Sequence, residues 1–183
     1  MNQVRPTLFI GVPRVWEKMA EKIDSKMSKL EGYQKMLYDS TSFICPSIIN
    51  NQIMTKTGLD QCKYRFTAAA PLSDYARKFF TNINYPLYDV YGMSETCGLI
   101  SLSVPKQYKV GSVGKILPNT QVKFNDDGEI LIKGDTVFKG YYLDDEKTKQ
   151  VFDEEGWFKT GDIGKIDEDG YLFITGRSKD III

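Results

Sequence analysis

The chain has 183 residues, of which 42% are hydrophobic and 26% charged, and its 24 basic residues balance its 24 acidic ones. This is typical of one globular domain or two small ones, and the neutral balance gives no general attraction to nucleic acid or anionic membranes. The absence of histidine excludes Ser-His-Asp and Cys-His catalysis and most zinc chemistry, so catalysis would rely on positioning, electrostatics and magnesium.

The chain begins with a predicted strand and helix. Residues 7–12 are an apolar run typical of a buried strand, and Pro13 follows where a helix tolerates proline. Apolar residues then recur at three- and four-residue steps, which predicts an amphipathic helix: Val15, Trp16, Met19, Ile23, Met27 and Leu30. Its other side is basic; we interpret it as a solvated face, although such a helix can also lie on a membrane. Residues 40–60 are weakly patterned, and we expect a connector there with a break at residues 45–47.

Two further strands and a helix complete an α/β half. Residues 64–70 predict a strand that ends in three alanines, whose small side chains allow either a close ligand or tight packing. Ser73 suits the N-cap of the next helix. Residues 85–90 predict a parallel strand. We therefore predict a parallel-sheet α/β half-domain over residues 1–110.

Residues 90–96, with the sequence VYGMSET, follow this strand directly. In open α/β sheets, ligands bind at the carboxyl ends of the strands. An aromatic ring, two hydroxyls and a carboxylate at that position suit a nucleotide with magnesium. A strand with a polar exit loop would give the same short pattern, so this segment alone leaves both interpretations open.

From about residue 111 the chain consists of short apolar runs separated by turns. The Asp-Gly pairs at residues 127–128 and 169–170 are hairpin signals. They predict a small antiparallel, β-barrel-like subdomain over residues 111–176. Neither pair fits a calcium loop, whose first and twelfth positions require Asp and Glu. Those positions hold other residues here: Lys123 and Gly134, or Lys165 and Gly176.

Four segments, in order, resemble the adenylate-forming enzymes, a superfamily that includes acyl-CoA synthetases, firefly luciferase and peptide-synthetase adenylation domains. They are residues 68–73 (AAAPLS), 91–95 (YGMSE), 156–162 (GWFKTGD) and 169–180 (DGYLFITGRSKD). Residues 4–7 (VRPT) and 11–18 (GVPRVWEK) resemble the long-chain and bubblegum-type fatty acyl-CoA synthetases. Residues 58–62 (GLDQC) fit the bubblegum branch best.

The resemblance implies a two-step ligase reaction. A fatty acid carboxylate attacks the α-phosphate of ATP, which gives an acyl-adenylate and pyrophosphate. The thiolate of coenzyme A then attacks the acyl carbon and releases AMP. The implied cofactors and co-substrates are ATP, Mg²⁺ and coenzyme A, the implied substrate is a long-chain fatty acid, and no nucleic acid partner is expected.

The resemblance also implies the residues that bind the nucleoside. Tyr91 would stack on adenine beside Gly92, although its ring could instead belong to the core. Asp162 would accept hydrogen bonds from the ribose hydroxyls, or serve as a turn residue. Arg177 would reach the ribose or phosphates, or form a surface salt bridge of little energetic value. The small side chains of Ala69 and Ala70, which follow Ala68, would line the acyl or adenine pocket.

A second group of residues is implied in the chemistry. Ser94 stands where the family usually has threonine, and its hydroxyl can donate to the α-phosphate. Glu95 would bind magnesium. Thr96 would add a second hydroxyl, or cap a helix. Lys179 aligns with the hinge on which the family's C-terminal domain turns between the two half-reactions, which predicts a hinge over residues 177–183.

Two parts of the family pattern are not found in these residues. One is the Ser/Thr/Gly-rich phosphate loop, and the other is the C-terminal domain with its lysine. We therefore expect a piece of the enzyme's large domain that is inactive alone and needs the missing N-terminal and C-terminal parts as partners. The alternatives are a catalytically inactive, truncated nucleotide-binding module and an adenylating enzyme for another carboxylic acid.

Cysteine spacing and hydropathy bear on location. Cys45, Cys62 and Cys97 lack CxxC spacing, which favours reduced thiols over a zinc site. No apolar run reaches the roughly 18 residues of a membrane span, and no signal-peptide pattern opens the chain. We expect a cytoplasmic protein without a transmembrane segment, with peripheral association with an intracellular membrane left open.

Overall fold

A computed structural model describes residues 2–29 and 46–178 of the chain, with only the backbone described over residues 46–50. The chain forms two compact units, Met1–Tyr88 and Asp89–Ile183. Leu30, Cys45 and Lys179, all used in the sequence interpretation, lie outside the described residues, as does the rest of the predicted hinge after residue 178. The domain boundary near residue 110 stays a prediction.

The first unit contains the strands and helices that the sequence predicts and one additional helix. Its elements are β1 (Leu8–Gly11), α1 (Pro13–Met27), α2 (Pro46–Thr57), β2 (Tyr64–Thr67) and α3 (Asp74–Asn82). Strands β1 and β2 pair in parallel, with Leu8 opposite Tyr64 and Gly11 opposite Thr67. The Ser73 prediction is confirmed, because its side chain accepts a hydrogen bond from the Ala76 N–H at the start of α3.

Trp16 is at the centre of the first unit's core and is fully buried. Its indole N–H lies 3.2 Å from the carbonyl oxygen of Gly11 and 3.1 Å from that of Phe66, so it joins the ends of both strands to α1. The ring meets Phe80 edge to face at 5.4 Å. Val15 was predicted to face inward but is 39% exposed. The buried stripe of α1 is formed instead by Trp16, Ala20 and Ile23.

The connector expected over residues 40–60 contains a helix, α2, which begins at Pro46. Proline is favoured in the first turn of a helix because its missing N–H would have no intrahelical partner. Apolar residues in this segment do not recur on one clear face, so the sequence does not indicate a helix here. Met54 and Leu59 are nevertheless buried at 1% and 0% exposure, and tertiary packing stabilises the segment.

The second unit is antiparallel. Its elements are β3 (Tyr88–Met93, which begins at the last residue of the first unit), β4 (Gly98–Leu102), β5 (Lys115–Ile116), β6 (Thr120–Phe124), β7 (Glu129–Gly134), α4 (Asp145–Val151), β8 (Phe158–Ile166) and β9 (Leu172–Arg177). Strands β3, β4 and β5 pair in that order, as do β6 to β9. Both Asp-Gly hairpins are confirmed, since Gly128 and Gly170 have φ values of +78° and +80°. The predicted fold class, an α/β half followed by an antiparallel, partly barrel-like unit, is confirmed.

Strand β3 begins three residues later than the predicted strand over residues 85–90. Tyr85 and Leu87 are buried but precede the strand. The Tyr85 hydroxyl donates to the carbonyl oxygen of Leu59 at 3.0 Å, so this residue packs in the first unit's core. An apolar run shows burial, but it does not show which of its residues join a strand.

Candidate nucleotide site

Gly92 sets the path of the chain at the end of β3. A Cβ atom at this position would lie 1.9 Å from the carbonyl oxygen of Gly98 on β4. The pairing of the two strands shifts register between Tyr91 and Gly92. Only a residue without a side chain allows this approach. The close packing therefore determines where Ser94 and Glu95 leave the strand.

Ser94, Glu95 and Thr96 form a short 3₁₀ turn directly after β3. Thr96 is 1% exposed. Its hydroxyl accepts from the Met93 N–H at 3.2 Å and donates to the Gly98 carbonyl at 2.9 Å, so it holds the turn together. Ser94 is exposed.

Asp162 connects two other predicted site residues. The Tyr91 hydroxyl donates to Asp162 Oδ2 at 2.7 Å, and the Arg177 Nε–H donates to Oδ1 at 3.0 Å. Asp162 is 4% exposed, whereas the Arg177 side chain is 70% exposed. Asp162 and Arg177 are direct partners in the pairing of β8 with β9. The structure thus brings together three residues that are distant in sequence.

The electrostatics of this cluster keep Tyr91 neutral. Burial, the hydrogen bond to Asp162 and the negative charge of Asp162 together raise the pKa of the Tyr91 phenol well above its ordinary value. The phenol therefore remains a hydrogen-bond donor across the physiological pH range. Tyr91 is also 9% exposed and packs in the second unit's core with Ile100 and Ile130.

Glu129 and Thr160, which the sequence interpretation missed, fix the backbone around Asp162. Gly161 has a φ of +73°, and its N–H donates to Glu129 Oε1 at 2.9 Å. The Thr160 hydroxyl donates to the Ile130 carbonyl at 2.8 Å and accepts from the Asp162 N–H at 3.0 Å. These bonds stabilise an irregularity in the pairing of β7 with β8. A bulge of this kind can direct a side chain inward, which no local pattern indicates.

Glu95 is half-buried and has different partners. Its carboxylate oxygen Oε1 accepts from the Tyr141 hydroxyl at 3.0 Å, and its backbone carbonyl accepts from the Phe138 N–H at 2.7 Å. Among the described residues, no group of three or more Asp, Glu, Cys or His side chains is arranged to hold a metal ion. A cation at Glu95 would therefore need substrate oxygens or water for most of its shell. This fits Mg²⁺, which is commonly held by one or two carboxylates beside phosphates.

Ala69 and Ala70 belong to the first unit, where both are exposed just beyond β2. Ala69 has a φ of +75°, an uncommon backbone conformation for a residue with a side chain.

Of the described cysteines, Cys62 is buried and Cys97 exposed, and both are free thiols. Within the described ranges, no helix has the length and apolar character needed to cross a membrane.

Comparison with known proteins identifies the family. The model of the AMP-binding enzyme family matches residues 1–142, which is more than half of the chain. The chain belongs to the AMP-binding enzyme family. Its relatives include the long-chain-fatty-acid–CoA ligases ACSBG2 of Xenopus laevis, at 39% identity, and ACSBG1 of Bos taurus, at 38%. Both alignments cover 100% of this chain but only 28% and 29% of the relatives, so the chain spans under a third of their length.

Solved structures of other adenylate-forming enzymes share the fold. ATP-bound MatB from Rhodopseudomonas palustris is 27% identical, with a TM-score of 0.73 over 100% of this chain and 33% of that one. The O-succinylbenzoate coenzyme A synthetase MenE from Bacillus subtilis, in complex with ATP and magnesium, has a TM-score of 0.68 over 100% of this chain and 34% of its own. Its identity of 24% supports similarity of fold alone. The predicted membership of the adenylate-forming superfamily, with bubblegum-type ligases among the relatives, is confirmed.

Proposed function

We propose that this chain supplies the adenine, ribose and magnesium contacts of a long-chain fatty acid–CoA ligase. The reaction is ATP-dependent formation of an acyl-adenylate, followed by thioester formation with coenzyme A, with AMP and pyrophosphate as products. The observation that carries the proposal is the cluster of Tyr91, Asp162 and Arg177. Three residues expected at a nucleoside site from separate segments make direct contacts.

Asp162 retains capacity to bind a ribose in this proposal. A carboxylate has about four acceptor sites, and within the described residues Tyr91 and Arg177 use two of those of Asp162. The exposed guanidinium of Arg177 is the side of the cluster from which a ligand would approach. Its remaining N–H groups would make charge-assisted contacts with the ribose or phosphates. The Tyr91 ring would stack on adenine, beside Gly92.

Ser94 and Glu95 would act on the phosphates. The Ser94 hydroxyl would donate to the α-phosphate, and Glu95 would bind Mg²⁺, which neutralises phosphate charge during in-line attack. Thr96 would support them through the turn. Ala69 and Ala70 would line the acyl or adenine pocket, and Lys179 would serve as the hinge. A cytoplasmic location is part of the proposal, and peripheral membrane association is left open.

Thermal unfolding of the 183-residue chain tests the nucleotide part. Magnesium plus a non-hydrolysable oleoyl-adenylate analogue, at 100 times its dissociation constant, should stabilise the folded chain by about 2.7 kcal/mol. This corresponds to a midpoint rise of about 5 °C or more for a protein of this size. Glu95→Gln and Asp162→Asn should each remove most of the shift, measured against each variant's own midpoint.

Glu168→Gln is the matched control, because Glu168 is an exposed carboxylate away from the cluster, and it should keep the full shift. An unsubstituted chain that unfolds cooperatively with the same midpoint with and without analogue would contradict the proposal. Binding without oleoyl-CoA formation by the chain alone is the expected result. Steady oleoyl-CoA formation by these 183 residues would contradict the expectation that further parts of the enzyme are needed.

A further inference from the structure

Glu95 is held at two points by the segment between β7 and α4. The Tyr141 hydroxyl donates to the Oε1 atom of its side chain at 3.0 Å, and the Phe138 N–H donates to its backbone carbonyl at 2.7 Å. One contact anchors the backbone of the residue and the other orients the carboxylate. Among the described residues, the second carboxylate oxygen, Oε2, makes no hydrogen bond.

Tyr141 is itself held by its neighbours. Its backbone N–H donates to Thr148 Oγ1 at 2.9 Å, and that hydroxyl donates to the Asp144 carbonyl at 2.8 Å. A Cβ at Gly140, whose φ is +149°, would lie 2.6 Å from Thr148 Cγ2, so a glycine is needed for this approach. The Lys147 ammonium lies 4.3 Å from the centre of the Tyr141 ring.

The Tyr141 ring also meets Phe138 edge to face at 4.9 Å. Phe138 packs in turn on Phe152 and Phe158, with ring centres 5.8 and 5.5 Å away. This aromatic group would anchor the ring even without the hydroxyl. The hydroxyl can therefore be removed, as Tyr141→Phe, without removing the packing that holds the segment.

We propose that Tyr141 is a positioning residue that holds Oε1 of Glu95 and so leaves Oε2 oriented for a divalent cation. The inference rests on the proposed function, in which Glu95 binds Mg²⁺. Side chains that hydrogen-bond a ligating carboxylate restrict its orientation and lower the entropic cost of binding the metal.

A magnesium titration tests the inference by binding rather than turnover. The chain is unfolded thermally with saturating oleoyl-adenylate analogue while Mg²⁺ is increased, and the half-maximal Mg²⁺ concentration is recorded. Tyr141→Phe should raise that concentration about tenfold. Its midpoint without ligand should stay close to that of the unsubstituted chain. Tyr142→Phe is the matched control, because the neighbouring tyrosine is 91% exposed, and it should change neither value.

A double substitution shows whether Tyr141 acts through Glu95. Glu95→Gln should remove most of the magnesium dependence, and Tyr141→Phe added to it should have no further effect on the titration. If Tyr141→Phe changed the magnesium titration equally in the unsubstituted chain and in Glu95→Gln, the inference would be overturned. So would a Tyr141→Phe titration that matches that of the unsubstituted chain, and in that case the proposed function would stand. If the analogue stabilises no variant at any Mg²⁺ concentration, the proposed function fails, and this inference fails with it.

Discussion

Two carboxylates of the second unit, Asp162 and Glu95, differ in how they are held. Asp162 is 4% exposed, and each of its oxygens accepts a hydrogen bond. Glu95 is half-buried and uses one oxygen, on Tyr141. A buried charge without partners costs far more than an exposed one. The contacts of Asp162 therefore stabilise the fold, whereas the second carboxylate oxygen of Glu95 makes no hydrogen bond within the described residues.

Because Asp162 and Glu95 are held differently, their substitutions should separate effects on the stability of the fold from effects on ligand binding. Substitutions at Asp162 should affect the free energy of unfolding even without ligand, because Tyr91 and Arg177 lose their acceptor. Substitutions at Glu95 should affect mainly magnesium and nucleotide binding. The following variants test this contrast, beginning with the largest expected change.

Gly92→Ala should disturb both carboxylates at once. The added Cβ would lie 1.9 Å from a backbone oxygen, so β3 or β4 must move. We expect a loss of about 3 kcal/mol or more in the free energy of unfolding, measured by urea denaturation. Gly176→Ala is the control, because a Cβ there meets no atom within 4 Å, and it should cost under about 1 kcal/mol. Equal effects of the two substitutions would refute the close packing at Gly92.

Asp162→Ala should cause the next largest loss in the free energy of unfolding. It leaves the buried Tyr91 hydroxyl without its acceptor, which we expect to cost about 2–3 kcal/mol in urea denaturation. Asp169→Ala removes an exposed carboxylate whose partner, Lys109, keeps its contact with Asp167. This control should cost under about 1 kcal/mol. An Asp162→Ala variant as stable as the control would mean that the cluster does not stabilise the fold.

Alkaline pH should weaken the fold through Tyr91. Above its ordinary pKa of about 10 the unfolded phenol loses its proton, while the raised pKa of the folded phenol keeps it protonated. The folded state then binds more protons, so stability falls as pH rises, by at most about 1.4 kcal/mol per pH unit for one group.

Tyr91→Phe should reduce the fall in the free energy of unfolding between pH 10 and 11.5. Urea denaturation at each pH measures this. Tyr141→Phe should flatten it less, because Tyr141 is only half-buried. Tyr142→Phe, at an exposed position, should leave the slope unchanged. A slope that is the same in Tyr91→Phe and in the unsubstituted chain would show that burial and Asp162 do not keep the phenol protonated in the folded state.

Arg177→Gln should change stability least. Its guanidinium is 70% exposed, and a partly exposed ion pair is typically worth under about 1 kcal/mol. Binding of the adenylate analogue should nevertheless weaken, because the proposed charge-assisted contacts of Arg177 with the ligand would be lost. Isothermal titration beside urea denaturation separates the two effects. A large loss of stability with unchanged binding would reverse the assignment of Arg177 as a ligand contact.

Local signals in the sequence predicted several elements correctly. Ser73 caps α3, Pro13 opens α1, and the two Asp-Gly pairs turn the hairpins. Each of these features depends on a few adjacent residues and on intrinsic backbone preference, which acts in the same way in any fold. The family followed from short ordered motifs, because the residue types needed at such sites recur in the same order.

Other features depended on distant contacts and escaped the sequence. Helix α2 has no clean apolar period, and Val15 follows the helical spacing but is exposed. Tyr141 and Glu129 have no motif of their own, although they hold Glu95 and the N–H of Gly161. Side chains of this kind are recognised only when the fold brings them to their partners.

The sequence by itself determined the family, the class of fold, the turns and the residue types suited to a nucleotide, because each depends on local chemistry and on order along the chain. Only the tertiary structure decided that Tyr91 and Arg177 meet on Asp162, while Glu95 meets Tyr141. Tyr91 and Asp162 are 71 positions apart, and Glu95 and Tyr141 are 46 apart. Strand register, a bulge at Gly161 and the close approach at Gly92 bring these pairs together, and such geometry arises only from packing of the whole unit.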